Sequence, residues 1–309
     1  MIDITGKRFW FFLISGVIIL ICIVSLATFG LKSGIEFSSG SMLTVNFEQE
    51  VEQGQLEQVL ADLGYTNAIV QQTQPTGNFL IRTHELSTQE KTLLEDGLKS
   101  NLGEFGEAPS FKKVSPMIAS ETSRTAIIAV IIAAVGILIY VTWAFRKMPK
   151  PIHYGTCAII ALVHDALIAL GIFSILGGIL NWEINLMFIT GILAVIGYSI
   201  NNTVVIFDRI RENLTRGVSS NFETVVNNSL VETLGRSINT SLTTIIVVLA
   251  LLFFVGATIQ NFVVVLIIGI IAGTFSSICI APMMLLVWDK REWRRFIQWL
   301  PLKTTKAEN

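Results

Sequence analysis

Six separate stretches of this sequence stay apolar for about 20 residues each, near 9–29, 125–145, 154–176, 185–207, 238–256 and 262–288. That is the length an α-helix needs to cross a hydrocarbon core about 30 Å thick. Inside such a core only helices and closed barrels satisfy their own backbone polar groups, and barrel strands are about half as long. The stretches therefore predict an all-α bundle of six membrane helices. Composition agrees, since 52% of the 309 residues are hydrophobic and only 15% are charged, against about 25% in soluble domains. The first stretch is too long for a signal peptide and lacks a small-x-small cleavage site, so a permanent span is expected.

Basic residues set the orientation, because Lys and Arg near span ends collect on the cytoplasmic side. Arg146, Lys147 and Lys150 fall in the second connection, Arg209, Arg211 and Arg216 in the fourth, and Lys290, Arg291, Arg294 and Arg295 after the last span. The short third and fifth connections contain no Lys or Arg, so both termini are expected in the cytoplasm. Trp10, Trp143, Trp182 and Trp288 fall at the expected boundaries, where amphipathic rings favour the interface. Trp293 and Trp299 sit among arginines, so residues 290–309 read as a basic tail lying along the bilayer surface. The net charge of −1 gives no overall basic field for nucleic acid. Cys22, Cys157 and Cys279 all fall inside spans, leaving the external segment without a disulfide.

Residues 1–31 thus form the N-terminus with the first helix, 32–120 an extracytoplasmic domain, and 121–289 the remaining five helices. Alternation over 42–47 predicts a strand with Leu43, Val45 and Phe47 on one face, and Leu56, Val59, Leu60 and Leu63 recur at helical spacing. Strands at 68–73 and 78–83 flank the turn Pro75-Thr76-Gly77. A second helix begins at Ser87, whose spacing to Glu90 fits a capping box, and is expected to bury Leu93, Leu94 and Leu98. A last strand covers 111–115. The order βαββαβ matches an α+β ferredoxin-like unit. Its 13 acidic and seven basic residues between 32 and 124 are scattered as on a solvated surface, and His84, with no Cys or second His near it, reads as a surface residue.

Within the spans, polar residues are few. A carboxylate at mid-membrane costs about 2.5 to 3.5 kcal/mol on insertion scales and persists only with a partner or a task. Asp165 is such a residue, with His164 beside it. Two readings stand: acceptance of hydrogen bonds from a neighbouring helix, and a proton or ion pathway. Ser199, Asn202 and Thr203 form a polar stripe on the fourth span, and Arg236, Thr240, Thr243 and Thr244 form one on the fifth. Arg236 either snorkels to the interface or serves that seam. With Asp165, two stripes facing one another predict a hydrated polar seam. Gly269 and Gly273 form a GxxxG, whose default reading is close helix packing. No Gly-rich phosphate loop, HExxH, CxxC pair or GxSxG occurs, which leaves no means of hydrolysing a nucleotide and no enzyme site.

Several stretches carry a family resemblance: 34–40 (Gly-Ile-Glu-Phe-Ser-Ser-Gly), Val163-His164-Asp165, the run 196–213 from Ile196 to Asn213, and 232–241. Through them the chain resembles the SecF family of bacterial protein export over nearly its whole length. The resemblance implies a six-helix half of a resistance-nodulation-division bundle, paired with six helices of SecD in the bacterial inner membrane. It also implies a non-enzymatic subunit without cofactor that assists the SecYEG translocon and, indirectly, SecA, using the proton gradient to draw unfolded polypeptide outward. One position departs. Where the family usually has an aspartate this chain has Asn202, matched to the arginine found here as Arg236. An amide can bond a guanidinium but cannot exchange a proton near neutral pH. Either Asp165 or a SecD carboxylate carries the proton, or this subunit is uncoupled or arrested. Asp208 and Arg209, at the cytoplasmic end, read as structural anchors.

Two competing classes remain. An intramembrane aspartyl protease needs two carboxylates sharing a site, and the spans offer one. Half of a proton-coupled small-molecule efflux transporter would share this architecture, though such pumps carry larger, duplicated external domains.

Overall fold

A computed structural model describes residues 2–73, 78–254, 257–290 and 292. After a short 3-10 turn at Thr5–Lys7, the chain forms α1 (Arg8–Thr28), α2 (Ile35–Ser38), β1 (Gly40–Asn46), α3 (Gln53–Asp62), β2 (Ile69–Thr73), β3 (Asn78–Thr83), α4 (Thr88–Leu102) and β4 (Ser110–Val114). Then follow α5 (Pro116–Ala144), α6 (Pro151–Leu180), α7 (Leu186–Thr215), α8 (Phe222–Phe254), α9 (Ala257–Cys279) and α10 (Ala281–Asp289). Six segments among the described residues are long and apolar enough to cross a membrane: Thr5–Thr28, Pro116–Ala144, Pro151–Leu180, Leu186–Thr215, Phe222–Phe254 and Ile259–Asp289.

Local chemistry sets several ends. Pro116 and Pro151 open their helices, where the missing N–H costs nothing. Asn185 caps α7 by accepting from the Phe188 N–H at 3.0 Å, and α6 stops at Asn181 in the left-handed region. The sixth span is broken at Ile280 because Pro282, in the first turn of α10, can neither donate nor clear the carbonyl four residues back. Helices also outrun the apolar stretches. Arg209 and Arg211 lie on the last turns of α7 rather than in a loop, and α7 and α8 continue into a paired polar extension.

The helices are not equivalent. In the most apolar window of the third, fourth and sixth spans 50%, 44% and 61% of residues are buried, against 17%, 11% and 17% in the first, second and fifth. Helices α6, α7 and α9 therefore form the inside of the bundle. The GxxxG works as expected: a Cβ at Gly269 would lie 2.8 Å from Val195 Cβ, and one at Gly273 would lie 2.9 Å from Ser199 Cβ, so α9 rests on α7. At one end of the bundle the N-terminal turn meets Asn227 and Glu223, and Lys150 meets Asp289. At the other, Lys32 donates to Asn181 at 2.5 Å and Asn261 to the Glu183 carbonyl at 2.8 Å.

The segment after the first span is a four-stranded sheet of order β2-β3-β1-β4, every neighbouring pair antiparallel. Leu43 stands opposite Ile81 and Phe111, and Val45 opposite Phe79. Leu43, Val45, Phe47, Phe79 and Ile81 join Leu56, Leu60, Leu94 and Leu98 of α3 and α4 in one buried cluster. The element order and the capping box at Ser87 follow the sequence reading; Ser87 accepts from the Glu90 N–H while Glu90 accepts from that of Ser87. Leu93 is a correction. It is 68% exposed, because Leu94 and Leu98, four residues apart, define the buried face and Leu93 sits about 100° away from it. His84 is exposed and stacks on Tyr65. The turn at 75–77 and the tryptophans of the tail lie outside the described residues.

Ser39 enters β1 at φ +63°, ψ 171°, a region open to glycine and costly for other residues by about 1–3 kcal/mol. Gly40 follows at φ +125°, where a Cβ would lie 2.6 Å from the Thr83 carbonyl oxygen. Ser39→Gly is expected to raise stability by about 1 kcal/mol, strain relief minus the extra freedom of an unfolded glycine. Thermal unfolding of the full chain in detergent checks it, and a lowered midpoint refutes it.

Candidate coupling site in the membrane

Asp165 lies on α6 and is 1% exposed. Its Oδ2 accepts from Ser199 Oγ of α7 at 2.6 Å and from Ser276 Oγ of α9 at 2.8 Å, while Oδ1 faces His164 Nδ1 at 3.0 Å. Three helices therefore converge on one carboxylate. While Asp165 is ionised its Oδ1 can only accept, and the imidazole proton then sits on Nδ1. The other ring nitrogen, Nε2, is buried and has no hydrogen-bond partner among the described residues.

Around this carboxylate the hydroxyls form a second tier. Ser277 Oγ donates to the Gly273 carbonyl at 2.6 Å, and Thr203 Oγ1 lies 2.9 Å from Ser277 Oγ. The spacing explains the convergence. Ser199 and Thr203 are four residues apart on one α7 face, and Gly273, Ser276 and Ser277 occupy the α9 face against it. Gly273 is small enough to bring Ser276 within reach of Asp165. Hydroxyl groups donate or accept by rotation, so the cage can bond the carboxyl in either protonation state.

The expected residues divide into three groups. Asp165, Ser199 and Thr203 are brought together. Asn202, 4% exposed, belongs to a neighbouring cluster: its Nδ2 donates to Ser241 Oγ of α8 at 3.4 Å, and Tyr198 (3.2 Å) and Thr274 (2.6 Å) reach the same oxygen. Arg236 and Thr240 do not face the seam. Both are exposed, as is Thr243, and these threonine hydroxyls return to carbonyls of their own helix. The expected facing stripes are corrected accordingly: α8 turns Ser237 and Ser241 inward and Arg236, Asn239, Thr240 and Thr243 outward. No hydrogen bond or ion pair joins Arg236 to Asn202 among the described residues.

Asp208 and Arg209 hold the polar extension. Asp208 pairs with Arg211 at 2.5 Å. Arg209 bridges Glu212 at 2.5 Å and, across to α8, Glu232 at 2.6 Å, where buried Asn213 also donates at 2.8 Å. Sequence reasoning missed Ser276, Ser277, Thr274 and Ser241. The first three stand out as Thr-Phe-Ser-Ser directly after the GxxxG in an otherwise apolar span, a readable signal. Ser241 had none, since both faces of α8 carry hydroxyls.

Comparison with known proteins shows the family. The family model described as Protein export membrane protein SecD/SecF, C-terminal, matches residues 96–291, and the SecD/SecF GG Motif matches residues 24–51. The chain belongs to the SecD/SecF family of protein export membrane proteins. It is 42% identical over 309 residues to a protein translocase subunit SecF from Thermobaculum terrenum, covering 96% of this chain and 97% of that one. A protein translocase subunit SecF from Anaerolinea thermophila is 39% identical over 303 residues, with 96% and 97% covered. Against the crystal structure of SecDF, a translocon-associated membrane protein from Thermus thermophilus, the TM-score is 0.83 at 30% identity over 94% of this chain. A SecDF structure in a super-membrane-facing form gives a TM-score of 0.66 over 96% of this chain. The chain spans 39% of the first SecDF structure and 40% of the second, so in SecDF proteins its counterpart is one part of a longer polypeptide.

Proposed function

We propose that this chain is the SecF-type subunit of a protein translocase, working beside a SecD partner to use the proton gradient in late steps of polypeptide export. The observation that carries the reading is the alignment, nearly end to end, with chains named as SecF translocase subunits. None of the named relatives supports an efflux transporter. Asp165 is the proton-exchanging group in this reading, supported by its burial, its three partners on three helices and the amide at position 202, with Ser199 and Thr203 tuning it. Residues 32–120 form a ferredoxin-like extracytoplasmic domain, a reading supported by the βαββαβ order with β1 and β3 central. Residues 1–31, 121–289 and 290–309 make up the first helix, the rest of the bundle and the cytoplasmic tail. Both termini are cytoplasmic, which agrees with Lys150, Arg209 and Arg211 lying at the same end as the N-terminal turn. SecYEG, SecA and an unfolded polypeptide are the wider partners.

The outward polar face of α8 supports the SecD pairing. Arg236, Asn239, Thr240 and Thr243, with Gly197 and Asn201 of α7, expose small and polar groups at a depth where lipid contact is costly. A second bundle covering that face accounts for them, and SecDF relatives carry this chain's counterpart within one longer polypeptide. A Cβ at Gly197 meets nothing within 4 Å, so Gly197→Trp is expected to leave the chain folded while abolishing co-purification with SecD. Retained co-purification removes the face from the interface. The function itself is tested in cells lacking their own SecF. This chain with its SecD is expected to restore gradient-dependent secretion, and failure despite normal membrane insertion refutes the reading.

A further inference from the structure

At the outer end of the bundle one arginine gathers the chain segments that connect the sheet to the membrane. Arg82 projects from β3 on the face opposite Phe79 and Ile81, away from the core of its own domain. Its Nη1 donates to Glu183 Oε1 at 2.8 Å and also to the Ser33 carbonyl, and its Nη2 reaches Ser38 Oγ. Glu183 lies in the connection between α6 and α7. That connection is tied to the segment leaving the first span, since the Gly34 N–H donates to the Ile184 carbonyl at 2.7 Å and the Ile184 N–H to that of Lys32 at 2.8 Å. Asn261, near the start of α9, donates to the Glu183 carbonyl at 2.8 Å.

The helices that meet here are those that meet at Asp165. Helix α6 carries Asp165 and ends shortly before Glu183; α7 carries Ser199 and begins just after it; α9 carries Ser276 and contributes Asn261. A change in how these helices pack about the carboxylate must move their outer ends, and with them Glu183.

We propose that Arg82 and Glu183 are positioning residues of the transport cycle, the contact through which a change of packing around Asp165 turns the external domain. The inference rests on Asp165 being the proton-exchanging group. Fork-shaped guanidinium bonding to a carboxylate, a hydroxyl and a carbonyl fixes angle as well as distance, which suits transmission of a rotation. Burial pushes the Glu183 carboxyl above the usual carboxylate range, against the pull of Arg82; Glu36 raises it further and Lys32 lowers it. Removing either member of such a pair leaves the other charge poorly solvated, so the contact resists half-measures.

The test uses the full chain with its SecD partner in nanodiscs, spin-labelled at Gln72→Cys on β2 and Leu180→Cys at the end of α6, the native cysteines being buried. Asp165→Asn is expected to shift the label-to-label distance. In Arg82→Ala and Glu183→Gln that shift should vanish, with export falling in parallel, and the exchanged pair Arg82→Glu with Glu183→Arg should restore both. A shift that survives Arg82→Ala overturns the coupling and leaves the Asp165 reading intact. No shift in the chain with Arg82 and Glu183 unaltered overturns both. Failure of the exchanged pair to rescue reduces Arg82 to a structural anchor and also overturns the inference.

Discussion

Asp165→Asn will yield a folded, membrane-inserted chain that supports secretion no better than a bundle deprived of its gradient. The asparagine side chain keeps an acceptor oxygen for Ser199 and Ser276, which hold Oδ2 at 2.6 and 2.8 Å, so the three-helix junction survives. What it loses is the exchangeable proton. Asn202 offers no substitute, being an amide bonded to Ser241 in a separate cluster. The contrast with Asp165→Leu separates chemistry from architecture. Leucine leaves Ser199 and His164 Nδ1 without their acceptor and Ser276 with only the Gly273 carbonyl at 3.3 Å, at about 1–3 kcal/mol for each orphaned group, so that variant should unfold at a distinctly lower temperature as well as fail in export. Gradient-dependent secretion and thermal unfolding, measured on both variants, give the answer. Full export by Asp165→Asn would move the proton route to the partner and leave Asp165 as interhelical glue. Asn202→Asp sharpens the comparison: a gain in export would identify that position as the weakened link.

The bundle was legible because hydrocarbon imposes a length and a backbone rule that few sequences satisfy by accident. The sheet was legible from alternation at Leu43, Val45 and Phe47 and from the Ser87–Glu90 cap, both local signals. Asp165 stood out because a buried carboxylate is expensive wherever the helices go. What failed was the direction of faces. On α8 hydroxyls occur all round the helix, and the inward choice of Ser237 and Ser241 over Thr240 and Thr243 depends on where α7 and α9 lie, which no single helix encodes. Leu93 failed for a related reason, since adjacent leucines leave the buried face undecided until the sheet supplies it. Arg82 and Glu183 are 101 residues apart in sequence and meet only because the domain folds back onto the α6–α7 connection.

Gly273→Val should disable the site without replacing any of the groups that bond Asp165. A Cβ at Gly273 would lie 2.9 Å from Ser199 Cβ, 3.0 Å from its Oγ and 3.3 Å from its Cα. Because the Ser199 backbone is itself this near, rotating the serine side chain gives little relief. Helix α9 must separate from α7 or Ser199 must move, at about 1–3 kcal/mol for an overpacked core position. Either movement opens the Ser199 and Ser276 bonds to Asp165. The expected result is a lower unfolding temperature and export reduced toward that of Asp165→Asn. Gly136 supplies the control, because a Cβ there meets nothing within 4 Å and valine should be close to neutral for stability. Adding Ser199→Gly to Gly273→Ala then divides the two effects. Ser199→Gly removes the nearest atoms of the conflict, Cβ and Oγ, together with the hydroxyl, so stability should recover in part while export does not. Recovery of both would mean that α7–α9 spacing alone matters and that the Ser199 hydroxyl contributes nothing to the carboxylate it bonds.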